Sequence, residues 1–260
     1  MAMTYRTVPV RQGLYWLREG AVGFFRRPMA LGSLFLLGFM GLMLLAALPL
    51  VGLPLSLMLT PCVSFGLLAA VGELRGGRAP SPALLIEGLR GAPVRRRNML
   101  RLGLLYGAIM LTWTVLWLSG LDWNALMSAD GTPNVEAIRG NSQLLTAVLM
   151  VGVGNVPLLM VFMHAAALVY WNQSPTLQAL GTSAMAMVRS LPAYLLWLLC
   201  LFMAFSALGS LLQFILVMVG GAGLVVPVTF AIWAAVSCVG LGGMFQAFLD
   251  CHPPSTPRPG

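Results

Sequence analysis

Few residues in this chain have side chains that could do chemistry, and their spacing keeps them apart. His164 is the one histidine inside a long apolar run. Its imidazole could ligate a haem- or chlorophyll-type metal, relay a proton, or hydrogen-bond a neighbouring helix. A relay or ion-coupled site calls for an ionisable companion at the same depth. None is evident, which favours the hydrogen-bonded reading. Asn155 and Gln213 are the other polar amides well inside apolar runs, and interhelical hydrogen bonding is their expected role. Pro61 and Pro157 also sit inside such runs, where each removes a backbone donor and tends to kink a helix. Kinks can line a solute path, so a transporter would run it near Pro61, Asn155, Pro157, His164 and Gln213.

Catalytic constellations are missing. Cys62, Cys200, Cys238 and Cys251 lack metal-like spacing, and three of them lie in apolar runs, where cysteine acts as a small hydrophobe. No G-x-S-x-G, P-loop or metalloprotease helix is present. Asp122, Asp130 and Glu136 share one polar loop, where acids are ordinarily solvated. The expectation is a protein that is not an enzyme and has no metal site. A porphyrin-type ligand at His164 is the one cofactor considered.

The elements that would carry these residues are membrane spans. Charged residues make up 8% of the 260 and apolar residues 59%, whereas soluble domains carry about 25% charged. Six runs reach the roughly 20 residues needed to cross hydrocarbon as a helix: Pro28–Leu48, Leu50–Gly72, Met99–Ser119, Gln143–Tyr170, Leu191–Val219 and Gly221–Phe248. They hold no Lys, Asp or Glu, and Arg101 is their one arginine. Backbone groups in lipid must pair internally, so the runs are expected to be helices of an all-α bundle, one integral membrane domain. A cleavable leader is not expected, because five arginines precede the first run.

All 15 basic residues are arginine. Fourteen of them, against four acids, fall on one side of the predicted topology (+10), and one against three falls on the other (−2). The positive-inside rule places both termini in the cytoplasm. The charge reads as a topological signal and as attraction to anionic headgroups, not as a nucleic-acid site.

The arginines also mark a threefold module of amphipathic segment plus apolar hairpin, over roughly 7–74, 81–170 and 174–249. Ser81-Pro82 and Ser174-Pro175 read as helix starts. Arg97 and Arg189 close the two segments, as Arg26-Arg27 closes the first. Arg27 to Arg97 spans 70 positions and Arg97 to Arg189 spans 92; the excess of 22 is close to the length of the connection Gly120–Ser142. In the first segment Val10, Leu14, Leu17, Ala21, Phe24 and Phe25 share one side of a helical wheel. That predicts an interfacial helix with Trp16 at headgroup depth. Arg11, Arg18, Arg26, Arg27, Arg95, Arg96, Arg97 and Arg189 are the other membrane-surface residues. Gly103 and Gly107 form a G-x-x-x-G pair, expected to pack within the bundle. The tail 251–260 is Pro-rich and expected to be disordered.

The stretch Val8-Pro9-Val10-Arg11-Gln12-Gly13-Leu14-Tyr15-Trp16-Leu17, continued by Phe24-Phe25-Arg26-Arg27-Pro28, resembles a family of six-span inner-membrane proteins from proteobacteria, chiefly the beta group. So does Met163-His164-Ala165-Ala166-Ala167-Leu168-Val169-Tyr170-Trp171 before Ser174-Pro175. The resemblance covers most of the chain and implies topology and localisation; the family carries no established activity. Its pattern has a proline after the His-Ala pair. Ala166 stands there, which removes the reason to expect a helix break after His164.

These readings favour a non-enzymatic accessory or scaffold subunit. It would pack against a larger membrane complex or organise lipid around one. A transporter or channel for a small or apolar solute is the alternative, and a pigment- or haem-associated subunit of an energy-transducing complex comes third.

Overall fold

The computed structural model describes residues 6–128, 132 and 134–252; Asp130 and tail residues 253–260 lie outside them. Six helices among the described residues are long and apolar enough to cross a membrane: α2 (Pro28–Ala46), α3 (Gly52–Arg75), α4 (Pro93–Leu118), α6 (Ser142–Trp171), α8 (Leu191–Met218) and α9 (Val225–Cys251). Around them lie α1 (Gln12–Arg26), a 3-10 segment at Pro82–Leu89, α5 (Val135–Gly140) and α7 (Thr176–Arg189). Asn134 and Asn141 cap α5 and α6 through their side chains, as N-cap asparagines do.

Every span matches a predicted run, with shifted ends. α4 starts six residues before the expected Met99 because Pro93 suits the first helical turn. Arg95, Arg96 and Arg97 are therefore part of the spanning helix. The amphipathic segment after Ser81 is a 3-10 turn of 8 residues, with Ser81 accepting from the Ala83 amide. In the third module the cap position is Pro175, one residue later than expected. α6 runs unbroken through Ala166 to Trp171. Cys251 and His252 are buried against α9 and its neighbours, so the supposed tail is packed up to that point.

α3, α6 and α9 form the inside of the bundle, and most of their buried residues lie toward one end. They are Pro61–Val71 in α3, Met160–Val169 in α6 and Gly240–Cys251 in α9. α4 buries Met99, Leu102 and Gly103 toward the same end and continues through Tyr106 and Gly107 to Met110, and α8 buries Ala193, Tyr194 and Trp197 there. This is the arginine-rich end. Toward the other, Leu145, Val148 and Val153 of α6 and Leu211, Phe214 and Val217 of α8 are exposed apolar residues.

The short segments pack across modules. α1 lies mainly on α9, the 3-10 segment mainly on α3, and α7 mainly on α6. Small residues make these approaches close. A Cβ at Gly20 would lie 2.8 Å from the Gly243 amide nitrogen, and one at Gly242 would lie 2.7 Å from the Gly20 Cα. A Cβ at Gly66 would collide with the Leu84 carbonyl oxygen.

The wheel drawn for α1 requires correction. Its protein-facing side is Gly13, Trp16, Gly20 and Phe24, while Leu14 and Phe25 face outward. Trp16 is 0% exposed, covered by protein rather than presented on the outer surface of α1. Two neighbouring helices set this orientation: Gly20 lies against the α9 backbone at Val239 and Gly243, and Gly13 against the α8 backbone at Ala193 and Trp197. Hydrophobic periodicity alone cannot see a notch in another helix.

Candidate functional site

The polar side chains that the sequence scatters converge where α1, α6, α8 and α9 meet at the arginine-rich end. His164 comes from α6, Tyr194 and the preceding Ser190 from the start of α8, and Cys251 from the end of α9. His164 Nε2 lies 3.3 Å from the Met244 carbonyl oxygen, which can only accept, so this nitrogen carries the hydrogen. Nδ1 is then the acceptor, 3.4 Å from the Tyr194 hydroxyl. That hydroxyl also lies 3.8 Å from Cys251 Sγ, and the thiol reaches Ser190 Oγ at 3.9 Å. Ser190 Oγ accepts from the Val8 amide at 3.4 Å, and the Arg6 amide donates to the Cys251 carbonyl at 2.9 Å. The segment before α1 thus closes over the group.

A second layer lies alongside. Asp250 Oδ2 accepts from Gln12 Nε2 at 2.7 Å and from Trp16 Nε1 at 2.8 Å, and Oδ1 accepts from Gln246 Nε2 at 3.0 Å. Gln246 Oε1 accepts in turn from Arg75, whose guanidinium also lies 3.8 Å from Glu19. The Trp16 and Tyr194 rings, with centroids 4.8 Å apart, join the two layers. His252 stacks on Phe248 with centroids 5.0 Å apart, and its ring is 5.6 Å from His164. Burial pushes the His252 pKa down to about 4, partly offset by its bond to the Phe248 carbonyl.

This arrangement does not fit a porphyrin on His164. Both ring nitrogens face protein partners, and the side chain is 1% exposed. An axial ligand needs a free lone pair and an open face above it. Among the described residues no three of His, Cys, Asp and Glu gather as a metal site.

The other predicted residues are dispersed. Asn155 Oδ1 accepts from the Tyr106 hydroxyl at 2.6 Å, linking α6 to α4. Gln213 Nε2 donates to Thr229 Oγ1 at 3.1 Å, linking α8 to α9. Pro61 is buried in α3 and Pro157 faces outward on α6. Neither the apolar groove beside Trp113 nor the basic cavity beside Arg27 is lined by Pro61, Asn155, Pro157 or Gln213. Gly103 and Gly107 pack on α3 at Met58: a Cβ on Gly103 would collide with the Met58 carbonyl oxygen, and one on Gly107 would lie 3.3 Å from the Met58 nitrogen.

Arg11, Arg18, Arg26, Arg27, Arg96, Arg97 and Arg189 are exposed. Arg95 is partly buried and lies 4.6 Å over the Tyr170 ring, whose hydroxyl donates to Glu87 at 2.5 Å. Sequence reasoning missed Gln12, Tyr194, Asp250 and Cys251 as members of one cluster. All four sit within a turn of a helix end, a position that leaves polar side chains unpartnered by their own helix, and that signal was readable.

No family model matches the chain, and no solved structure matches it. The chain is similar to a probable inner membrane protein of Burkholderia thailandensis. The two are 28% identical over 242 residues, covering 89% of this chain and 88% of that protein. That similarity over nearly the full length agrees with the six spanning helices in describing a multi-pass helical inner-membrane protein.

Proposed function

We propose that this protein is a non-enzymatic subunit whose outer apolar faces receive another membrane protein. The carrying observation is the placement of its core. Side chains interlock at the arginine-rich end, while the opposite halves of α6 and α8 present apolar residues with few protein neighbours. Lipid covers such faces without any hydrophobic penalty, so apolarity alone does not identify a partner. Small residues are more informative, because they admit a second backbone. A Cβ added at Gly41 or at Gly152 would meet nothing within 4 Å, and both positions are exposed.

The polar node supports a structural role over chemistry. His164, Tyr194, Ser190 and Cys251 are each at most 1% exposed and bond to one another or to backbone, so no substrate reaches them. The cross-module packing of α1, the 3-10 segment and α7 supports a threefold repeat closed head to tail. Under the positive-inside rule the polar node and both termini lie in the cytoplasm.

Gentle extraction from native membranes, mild cross-linking and native-gel mass spectrometry test the reading. Co-migration with a stoichiometric membrane partner, lost in Gly152→Trp, is the expected result. A cross-linked sample that runs as a lone chain would overturn it.

A further inference from the structure

We propose that the cavity between α1, α2, α3 and α9 at the arginine-rich end binds the phosphate headgroup of an anionic phospholipid. This goes beyond the subunit reading and does not rest on it. The cavity holds about 250 Å³, below the roughly 300–1,000 Å³ of pockets for drug-sized ligands and suited to a small headgroup. Arg26, Arg27, Arg75 and Glu19 supply its charge, and Leu31 and Val71 are among its apolar lining.

The three guanidiniums are not equivalent. Arg75 is held by Gln246, by Glu19 at 3.8 Å and by the Phe245 ring at 5.2 Å. The one carboxylate of the lining is thus already engaged. Arg27 donates to the Gly77 carbonyl at 3.4 Å, and neither Arg26 nor Arg27 has an ion-pair partner among the described residues. Gly77 adopts φ +78°, a turn conformation that glycine takes without strain, and so closes the rim. Two guanidiniums without a carboxylate partner among the described residues, beside a fixed third, form a receptor for a compact anion, and guanidinium geometry favours phosphate oxygens.

The location selects the source of that phosphate. The cavity lies beside the start of α2 and the end of α3, and the positive-inside rule puts that end of the two spans at the cytoplasmic headgroups. Basic pockets between spanning helices on that face are suited to acidic headgroups. Phe25 and Met29, 74% and 82% exposed, sit beside the arginine pair in sequence. They offer apolar surface to the acyl chains of a lipid, which a free phosphate would not use.

The test delipidates the purified full-length protein in neutral detergent and exposes it to mixed micelles of phosphatidylglycerol and phosphatidylcholine. Bound lipid is counted by native mass spectrometry. The expected result is a preference for phosphatidylglycerol of about tenfold. It should vanish in the double variant Arg26→Gln/Arg27→Gln and persist in Arg96→Gln/Arg97→Gln, which removes equal charge elsewhere. Circular dichroism and gel filtration check folding. If the first double variant fails there, Arg26→Gln alone is read, with about a threefold loss expected. A preference lost equally in both double variants would mean diffuse surface attraction and overturn the site. So would no preference in the parent protein. Inorganic phosphate that displaces the lipid fully at millimolar concentration would assign the cavity to free phosphate and overturn the lipid source.

Discussion

Trp16 and Asp250 stand 234 residues apart in the chain and share a 2.8 Å hydrogen bond from the indole nitrogen to the carboxylate. That bond ties the first helix to the last. Asp250 accepts from Gln12 and Gln246 as well, so replacing it orphans three donors at once. Asp250→Leu is expected to destabilise the protein by about 2–4 kcal/mol and Trp16→Phe by about 1–2 kcal/mol, since bonds to charged groups contribute about 1.5–3 kcal/mol. Hydrogen exchange over Gln12–Arg26 in detergent measures it. Unchanged protection of α1 in Asp250→Leu would show that the glycine contacts alone hold the helix.

The glycines of α1 and α7 make opposite predictions. At Gly20 a Cβ would lie 2.8 Å from the Gly243 nitrogen and would collide with the Val239 carbonyl. Gly20→Ala should therefore cost about 1–3 kcal/mol through overpacking. At Gly181, inside α7, a Cβ meets nothing within 4 Å. Gly181→Ala should raise stability by about 0.5–1 kcal/mol, the helix preference for alanine. Thermal unfolding of both variants in one detergent reads the two signs. A neutral or stabilising Gly20→Ala would refute the close α1–α9 crossing, and a destabilising Gly181→Ala would refute the open space beside α7.

His252 gives the packed end a pH dependence. Its pKa falls from 6.5 to about 4 on folding. The folded state thus favours the neutral ring, and its full contribution is present above pH 6.5. Protons bind the unfolded chain first as pH falls, so the contribution is lost from about pH 6.5 down to about pH 4 and amounts to at most about 3 kcal/mol. The groups facing it are the His164 ring and the Phe248 ring and carbonyl. The drop in melting temperature between pH 7 and pH 5 should shrink in His252→Phe, which keeps the stacking. An undiminished drop would place the titration elsewhere.

Asn155 and Tyr106 join α6 to α4 at 2.6 Å. A double-mutant cycle with Asn155→Leu and Tyr106→Phe should return a coupling of about 0.6–1.7 kcal/mol, the range for bonds between spanning helices. Zero coupling would free Asn155 for the path-lining role that the transport alternative requires.

The spans were legible in the sequence because hydrocarbon thickness and backbone pairing depend on composition and length alone. Pro28, Leu191 and the six apolar runs needed no knowledge of the fold. The orientation of α1 was not legible for a different reason. Val10, Leu14 and Phe25 form the apolar stripe, yet Gly13, Trp16 and Gly20 face the protein, because the surfaces they meet belong to α8 and α9, the last two spans of the chain.

What the sequence determined by itself is therefore the membrane class, the six helices and the one-sided arginine belt, since each follows from local composition acting against a uniform solvent. The tertiary structure decided which polar groups meet. His164, Tyr194 and Cys251 come from three helices, and Asp250 takes its donors from α1 and α9. Arg26, Arg27 and Arg75 likewise share a cavity only because α1 and α3 end side by side. Such meetings depend on which small residues let two backbones approach, a property of pairs of helices that no single run displays.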